Sequence, residues 1–335
     1  PLKEELKWRG LSYRGVPEKV NIIIIIVDGL RPGDVNPDVM PNLNELACSG
    51  TRLMNHYSQG NTSDLGVFSL LYSEYPIHIR EVIKKNVKPE LPRYLKENGY
   101  SLKAYSQAFE WFSLGLFFSD FRTTSISGGF EKDLKMLEAV GRDLTASDPQ
   151  FVISHLHNTH WNYFFPKDNA KFTPICDGDF DIAKLRLPDN SFRQQVKNRY
   201  LNSVHYIDRL IGDFIPVWTK ASQYPLRIIV TADHGQEFWE EGGFAMGNAL
   251  NSWQTKVPMI LIGFPSRSKE LADTGKYSRH IDVMPVVAHS CGLEVVENSG
   301  RSIEPSLSSR FSISFMRSVN IPDTMRIRAE SDEIE

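Results

Sequence analysis

Six residues of this chain stand where their types and spacing could do chemistry. Asp28 directly follows the run Ile22-Ile23-Ile24-Ile25-Ile26-Val27, and Gly29 follows Asp28. Asp233 and His234 follow a second apolar run, Arg227 to Thr231, in the order Ala232-Asp233-His234-Gly235. A third run, Phe151 to Leu156, ends in His157-Asn158-Thr159-His160-Trp161, where His160 is taken as the candidate. Between Asp28 and that run lies a small-residue loop, Gln59-Gly60-Asn61-Thr62-Ser63-Asp64, which contributes Asn61 and Thr62. Asp28, Asp233, His234 and Thr62 together make a four-ligand set for one divalent ion. An oxygen-rich set with one nitrogen suits Mn²⁺ or Mg²⁺ first, with Zn²⁺ or Ca²⁺ as alternatives. Such an ion makes a neighbouring hydroxyl a nucleophile at neutral pH and takes up charge on a phosphoryl or sulfuryl oxygen. Each residue also has a plain reading. A histidine after a strand is usually structural, and Thr-Ser-Asp is what an ordinary helix N-cap looks like.

The elements that must position these residues are legible in the apolar pattern. Six β-branched residues without a polar break cannot be a half-exposed strand, which would alternate. They fit a central parallel strand covered by helices on both faces. The run is far shorter than the roughly 20 residues needed to cross a bilayer. Spacing predicts further strands at 101–106, 151–156, 227–231 and 256–263. Helices are predicted at 42–49, from the hydroxyl loop onward, at 91–99, 131–143, 193–215 and 279–290. The fold class is therefore α/β, with a mostly parallel central sheet flanked by helices on both faces. Ligands of such sheets bind outside the carboxyl ends of the strands, where Asp28, His160 and Asp233 fall. Thr62, Ser63 or Asp64 would begin a helix, where free N–H groups and the helix dipole favour an anion. His205 and Asp208, near the buried stripe of helix 193–215, read as hydrogen-bonded structural groups. The aromatic stretch 107–130 (Phe109, Trp111, Phe112, Phe117, Phe118, Phe121) reads as core, and 166–192 as an exposed insertion.

Composition excludes several classes. With 335 residues, 41% hydrophobic and 24% charged, the chain is ordinary for a globular protein. A net charge of −3 and no strongly basic face give no reason to expect nucleic acid. The basic stretch Arg80 to Lys88 reads as a solvated helix face as readily as an anion site. Cys48, Cys176 and Cys291 are far apart, which speaks against a zinc–thiolate site or a disulfide scaffold. Residues 1–20 read as a lead-in, 21–297 as the main domain and 298–335 as a polar, weakly anchored extension. Because the chain opens on Pro1, it is read as part of a longer protein whose preceding segment would hold a membrane anchor.

The ordered set Ile-Ile-Val-Asp-Gly-Leu-Arg, Met-Pro-Asn-Leu, the hydroxyl loop, Thr-Ala-Asp-His-Gly and Lys-Val-Pro-Met-Ile resembles the sulfatase branch of the alkaline phosphatase superfamily. His280-Ile281-Asp282-Val283-Met284-Pro285 is similar to the start of a late helix in that branch. The loop at 59–64 resembles the nucleophile loop of lipoteichoic acid synthases, which implies that Thr62 rather than Ser63 attacks phosphorus. His56-Tyr57-Ser58, Gly66 to Tyr72 and Ser252 to Pro258 look similar to inner-membrane proteins of the PbgA/YejM type. That resemblance implies a periplasmic, extracytoplasmic domain, held to the membrane by a segment outside this chain, with phospholipid or lipopolysaccharide as partner.

Two departures limit the analogy. The loop lacks the Cys or Ser followed by x-Pro-x-Arg that sulfatases use to make formylglycine, so sulfate-ester hydrolysis by that route is not expected. Where relatives often carry a histidine after Asp-His-Gly, this chain has Met246, which cannot hold a phosphate oxygen or a hard metal. The first reading is a one-metal phosphotransferase or phosphatase acting on lipid head-group esters. Thr62 would be nucleophile, and His160 would bind a substrate oxygen or protonate the leaving group. Asn61 would help to stabilise the developing charge. The second is a catalytically weak module that binds lipid or lipopolysaccharide and regulates envelope synthesis. The third is an exposed-cap protein with no metal at all.

Overall fold

The computed structural model describes residues 5–53, 55–110, 114–177, 189–265, 277–303, 311–317 and 325–331. Its centre is a seven-stranded sheet built from β1 (Asn21–Val27), β2 (Thr51–Leu53), β3 (Ser101–Ser106), β4 (Arg122–Ser125), β5 (Gln150–Leu156), β6 (Leu226–Thr231) and β7 (Met259–Ile262). The spatial order is β2-β7-β6-β1-β5-β3-β4, which puts the isoleucine run in the middle. β1 is parallel to β5 and β6, and β3 is parallel to β4 and β5. β7 is antiparallel to both β6 and β2, so the sheet is mixed but mostly parallel. A parallel return needs a long crossover. The connection from β6 to β7 carries a short antiparallel pair, Glu237–Phe238 with Phe244–Ala245, and a four-residue helix, Ser252–Thr255, but no long crossover helix, and the chain comes back the other way.

Every β1 side chain is buried, and the strand splits its residues between two cores. Ile22, Ile24 and Ile26 join Leu65 and Phe68 on one face, while Ile23, Ile25 and Val27 join Leu43, Met136 and Ile207 on the other. Burying one such side chain contributes about 1.5–3 kcal/mol, which is why no polar residue interrupts the run. The helices are α1 (Pro41–Ser49), α2 (Ser63–Tyr72), α3 (Ile79–Lys85), α4 (Glu90–Glu97), α5 (Glu131–Asp143), α6 (Asn190–Ala221) and α7 (Val283–Ser290). Buried residues of α2, α4 and α7 belong to the first core, and those of α1, α5 and α6 to the second.

Helix α6 is longer than its apolar stripe predicts, beginning at the Asp189 cap and continuing past Pro216. Its Asp208 carboxylate accepts from Asn42 N (3.1 Å) and Leu43 N (2.7 Å) and so caps α1, while His205 Nδ1 meets Val39 O at 2.9 Å. Both are structural, as expected. In the basic stretch, Lys85 pairs with Glu81 on an exposed face, with Ile79 and Val82 turned inward. Phe117, Phe118 and Phe121 fill the first core, while Trp111 and Phe112 lie outside the described residues. The same holds for 178–188 of the expected insertion.

One expectation is corrected. The stretch after 298 is not weakly anchored where it is described. β8 (Phe311–Arg317) pairs with β9 (Met325–Ser331) and docks against the start of the hydroxyl loop. Phe315 N donates to Gln59 O (2.9 Å), Ser314 Oγ to Ser58 O (2.7 Å) and Gln59 Nε2 to Ser312 Oγ (3.1 Å). Ile313 and Phe315 are buried against Tyr75 and Ile281. Serines alternate with Ile313 and Phe315, so one face of the strand is apolar and the polar residues carry the docking bonds.

Candidate metal centre

Strand register assembles the site. Ile26 of β1 is level with His155 of β5 and with Thr231 of β6. Two residues further along each chain, Asp28, His157 and Asp233 emerge side by side past the strand ends. Asp28 N donates to Leu156 O (3.0 Å), which extends the β1–β5 pairing by one step. The chain then leaves sharply at Gly29, with φ at 64° and the Gln236 side chain so near that a Cβ would sit 2.9 Å from Nε2.

The buried cluster holds Asp28, His155, His157, Asp233 and His234. His155 Nε2 lies 3.1 Å from Asp233 Oδ2 and 3.9 Å from Asp28 Oδ2. His157 Nδ1 is 3.4 Å from Asp28 Oδ2. His234 Nε2 is 3.5 Å from Asp233 Oδ2 and 4.0 Å from Asp28 Oδ1. Asp28, His155 and His157 form one group of possible ligands, and Asp28, Asp233 and His234 a second, each with its ligand atoms within 4.8 Å of one another. Asp28 belongs to both.

Surrounding bonds aim these atoms. Asp233 Oδ1 accepts from Gly29 N (3.1 Å) and His234 N (2.9 Å), which leaves Oδ2 facing the cluster. His234 Nδ1 is 2.7 Å from Gly235 O, so it donates there and the Nε2 lone pair points inward. His157 Nε2 is tied to Ser106 Oγ at 3.0 Å.

Burial pushes the Asp233 carboxyl up, but His234, His155 and Ser63 outweigh it and hold it far below the usual carboxylate range. Burial and the Asp233 charge also push Asp28 up, and His160, His157 and His234 bring it down overall. Burial lowers His155, yet Asp233 and Asp28 raise it on balance. His157 falls to about 4, through burial and then the charge of His155. Two carboxylates therefore share a buried site with three imidazoles, and a divalent cation would balance their charge there. Among the described residues Asp28 Oδ2 has no close hydrogen-bond donor, His157 Nδ1 standing 3.4 Å away, and a buried acceptor of this kind fits a cation ligand. The residues present fit a divalent metal.

The hydroxyl loop sits directly on this cluster. Ser58 Oγ donates to Asp233 O (2.6 Å), and a Cβ at Gly66 would lie 1.8 Å from that oxygen. Only glycine lets the first turn of α2 approach so closely. Thr62 is the N-cap residue of α2, and its hydroxyl donates to Asp64 Oδ1 (2.7 Å). Ser63 Oγ is the hydroxyl in contact with the cluster, 3.3 Å from His234 Nε2. Asn61 Nδ2 donates to Ala249 O (2.9 Å) and Gln254 Oε1 (3.2 Å), so in this arrangement its amide holds the loop. His160 is partly exposed at the rim, with Nδ1 2.8 Å from Trp161 O. The structure thus brings Asp28, Asp233 and His234 together, turns the Thr62 hydroxyl to Asp64 and leaves His160 outside the ligand groups. Met246 lies half-buried against the second core, and the next residue, Gly247, donates its N–H to Asn61 O (3.0 Å).

His155 and His157 escaped the sequence reading. Their signal was a pair of imidazoles two residues apart at the end of an otherwise apolar strand, hence on one face of it.

Residues 20–293 match the family model described as Sulfatase. The inner membrane protein YejM of Salmonella typhimurium is 26% identical over 228 residues, covering 67% of this chain and 34% of that protein. Lipoteichoic acid synthase 2 of Bacillus subtilis is 23% identical over 314 residues, covering 84% and 46% respectively. The chain spans less than half the length of these curated relatives. The C-terminal periplasmic domain of phosphoethanolamine transferase EptC from Campylobacter jejuni has a TM-score of 0.67 at 16% identity, over 87% of this chain and 93% of that one. The corresponding domain of EcEptC from Escherichia coli, in complex with Zn, has a TM-score of 0.66 at 16% identity over 85% of each. No described helix is long and apolar enough to cross a membrane. The family match runs over most of the sequence, and the chain belongs to the sulfatase family of the alkaline phosphatase superfamily.

Proposed function

We propose that this domain is a metal-dependent phosphotransferase or phosphohydrolase that acts on phosphate esters of lipid head groups. The observation that carries this reading is the buried cluster of two carboxylates and three imidazoles beneath a helix N-terminus bearing two hydroxyls. Asp28, Asp233 and His234 would hold the ion, with His155 and His157 as further nitrogen donors. This set is richer in nitrogen than the sequence suggested, which favours Zn²⁺ or Mn²⁺ over Mg²⁺ or Ca²⁺. The ion would supply Lewis acidity toward a phosphoryl oxygen. Thr62 is the proposed nucleophile, its hydroxyl oriented by Asp64. Ser63 is the competing hydroxyl, on the strength of its contact with His234. His160 stands at the rim, where it can donate a proton to a leaving oxygen. The names of the relatives support an extracytoplasmic, periplasmic setting and a membrane anchor outside this chain.

A second reading, a regulatory module that binds lipid or lipopolysaccharide without turnover, draws support from Met246. Its thioether packs among apolar side chains beside the hydroxyl loop. The test is metal content and hydrolysis of p-nitrophenyl phosphate and bis(p-nitrophenyl) phosphate by wild type, Thr62→Ala and Ser63→Ala. About one metal per chain, with turnover lost in Thr62→Ala only, supports the first reading. Loss in Ser63→Ala alone moves the nucleophile by one residue. Metal without turnover supports the regulatory reading, and no metal refutes the centre.

A further inference from the structure

Beside the metal centre lies a pocket of about 250 Å³, lined by Gln107, Lys132, His157, His160, Asn162 and Phe164, among others. His157 belongs to both the pocket and the cluster, so a molecule reacting at the centre would extend into this space. Lys132, on the first turn of α5, is only 2% exposed. Its ammonium lies 4.4 Å from the centre of the Phe164 ring. No carboxylate pairs with it among the described residues. Asp133, the nearest acid in sequence, is turned away to accept from His157 N (3.0 Å) and Asn158 N (2.8 Å). The charge of Lys132 is balanced only from a distance, by Asp133 and Asp28. Once Asp28 is spent on a cation, that balance falls and a dication is added nearby. Among the described residues no Asp or Glu lines the pocket. A buried ammonium in that position is strongly disfavoured unless an anion meets it.

We infer that this pocket receives the non-reacting part of the substrate and that Lys132 selects a negatively charged group there, a carboxylate or a second phosphate, over an ammonium. The inference rests on the metal-dependent reading above and sharpens its substrate class. It also separates this chain from what a phosphoethanolamine donor would require, because an ethanolamine ammonium would enter facing Lys132 with no carboxylate lining the pocket to receive it.

Three phosphomonoesters of similar size test it by titration calorimetry on metal-loaded protein: 2-phosphoglycolate, ethyl phosphate and O-phosphoethanolamine, whose far ends are anionic, neutral and cationic. Wild type should bind them in that order of decreasing affinity, with on the order of tenfold between the first and last. Lys132→Met should bring the three to within about twofold of one another, and Lys132→Arg should keep the order, which separates loss of charge from loss of fold. O-Phosphoethanolamine binding as tightly as 2-phosphoglycolate, an order that survives Lys132→Met, or no binding of any of the three overturns the inference. Metal content, measured on the same samples and with the titrations repeated after chelation, keeps the two failures apart. Metal present without the charge order refutes the pocket, whereas the charge order without metal refutes the metal-dependent reading.

Discussion

Lowering the pH from 7 to 5 should weaken this fold by about 2 kcal/mol through His280 alone. His280 is fully buried, with its ring centre 5.0 Å from that of His56. Its Nδ1 lies 3.3 Å from Gly66 O. Burial lowers its pKa to about 4, with only partial relief from the Gly66 carbonyl, the Asp233 charge and the Ala232 carbonyl. In the unfolded chain the imidazole returns to about 6.5. Between these values the unfolded state takes up a proton that the folded state refuses. The stability associated with His280 is therefore present above pH 6.5 and lost as the pH falls toward 4. Most of the roughly 3 kcal/mol total remains at pH 7, and about 2 kcal/mol of it is gone by pH 5. His56 acts in the same direction, lowered by burial and by the charge of His280. The assay is urea unfolding of wild type and His280→Gln at pH 7 and pH 5, both in chelator so that metal release does not enter. The variant, neutral throughout, should show a pH-dependent loss smaller by about 2 kcal/mol. Equal losses in the two proteins would refute the assignment of a neutral, buried His280 beneath the first turn of α2.

Three other perturbations probe the packing around the centre. Gly66→Ala puts a methyl carbon where the Asp233 carbonyl oxygen already lies, and should destabilise by about 3 kcal/mol. A thermal melt within 2 °C of wild type would show that the helix does not approach the strand end this closely. His157→Asn should weaken Zn²⁺ or Mn²⁺ binding about 10- to 100-fold by calorimetry, and an unchanged Kd would remove His157 from the centre. Phe315→Ala removes a fully buried ring from the docked C-terminal strand and should cost about 3–5 kcal/mol in urea unfolding. A loss under 1 kcal/mol would mean that β8 does not rest on the hydroxyl loop.

Five of the seven strands of the sheet and three of the five clustered side chains were legible in the sequence, whereas the short strands β2 and β4 were not. A six-residue β-branched run admits one physical answer, a strand buried on both faces, and a carboxylate just past its end lies where α/β sheets bind ligands. The same reasoning reached Asp233 and His234, because their strand is equally apolar and they too follow its last residue. The α1 cap was only partly legible, since Asp208 could be read as a buried structural acid but its partners, 165 and 166 residues away, could not.

Tertiary structure decided the rest. Whether His155 and the following His157 face Asp28 depends on the register of β5 against β1, and a shift of one residue would turn His155 to the other side of the sheet. Which hydroxyl touches the cluster depends on the rotation of the first turn of α2, set by the close contact of Gly66 with Asp233 rather than by the motif Thr62-Ser63-Asp64. The docking of β8 on Gln59 rests on one backbone and two side-chain hydrogen bonds between segments more than 250 residues apart, and its serines look like solvent-facing residues until those bonds are seen. Lys132 could not be singled out from sequence at all. One lysine on a helix is ordinarily solvated, and only the packing of α5 against the strand ends buries its ammonium beside a pocket with no carboxylate to meet it.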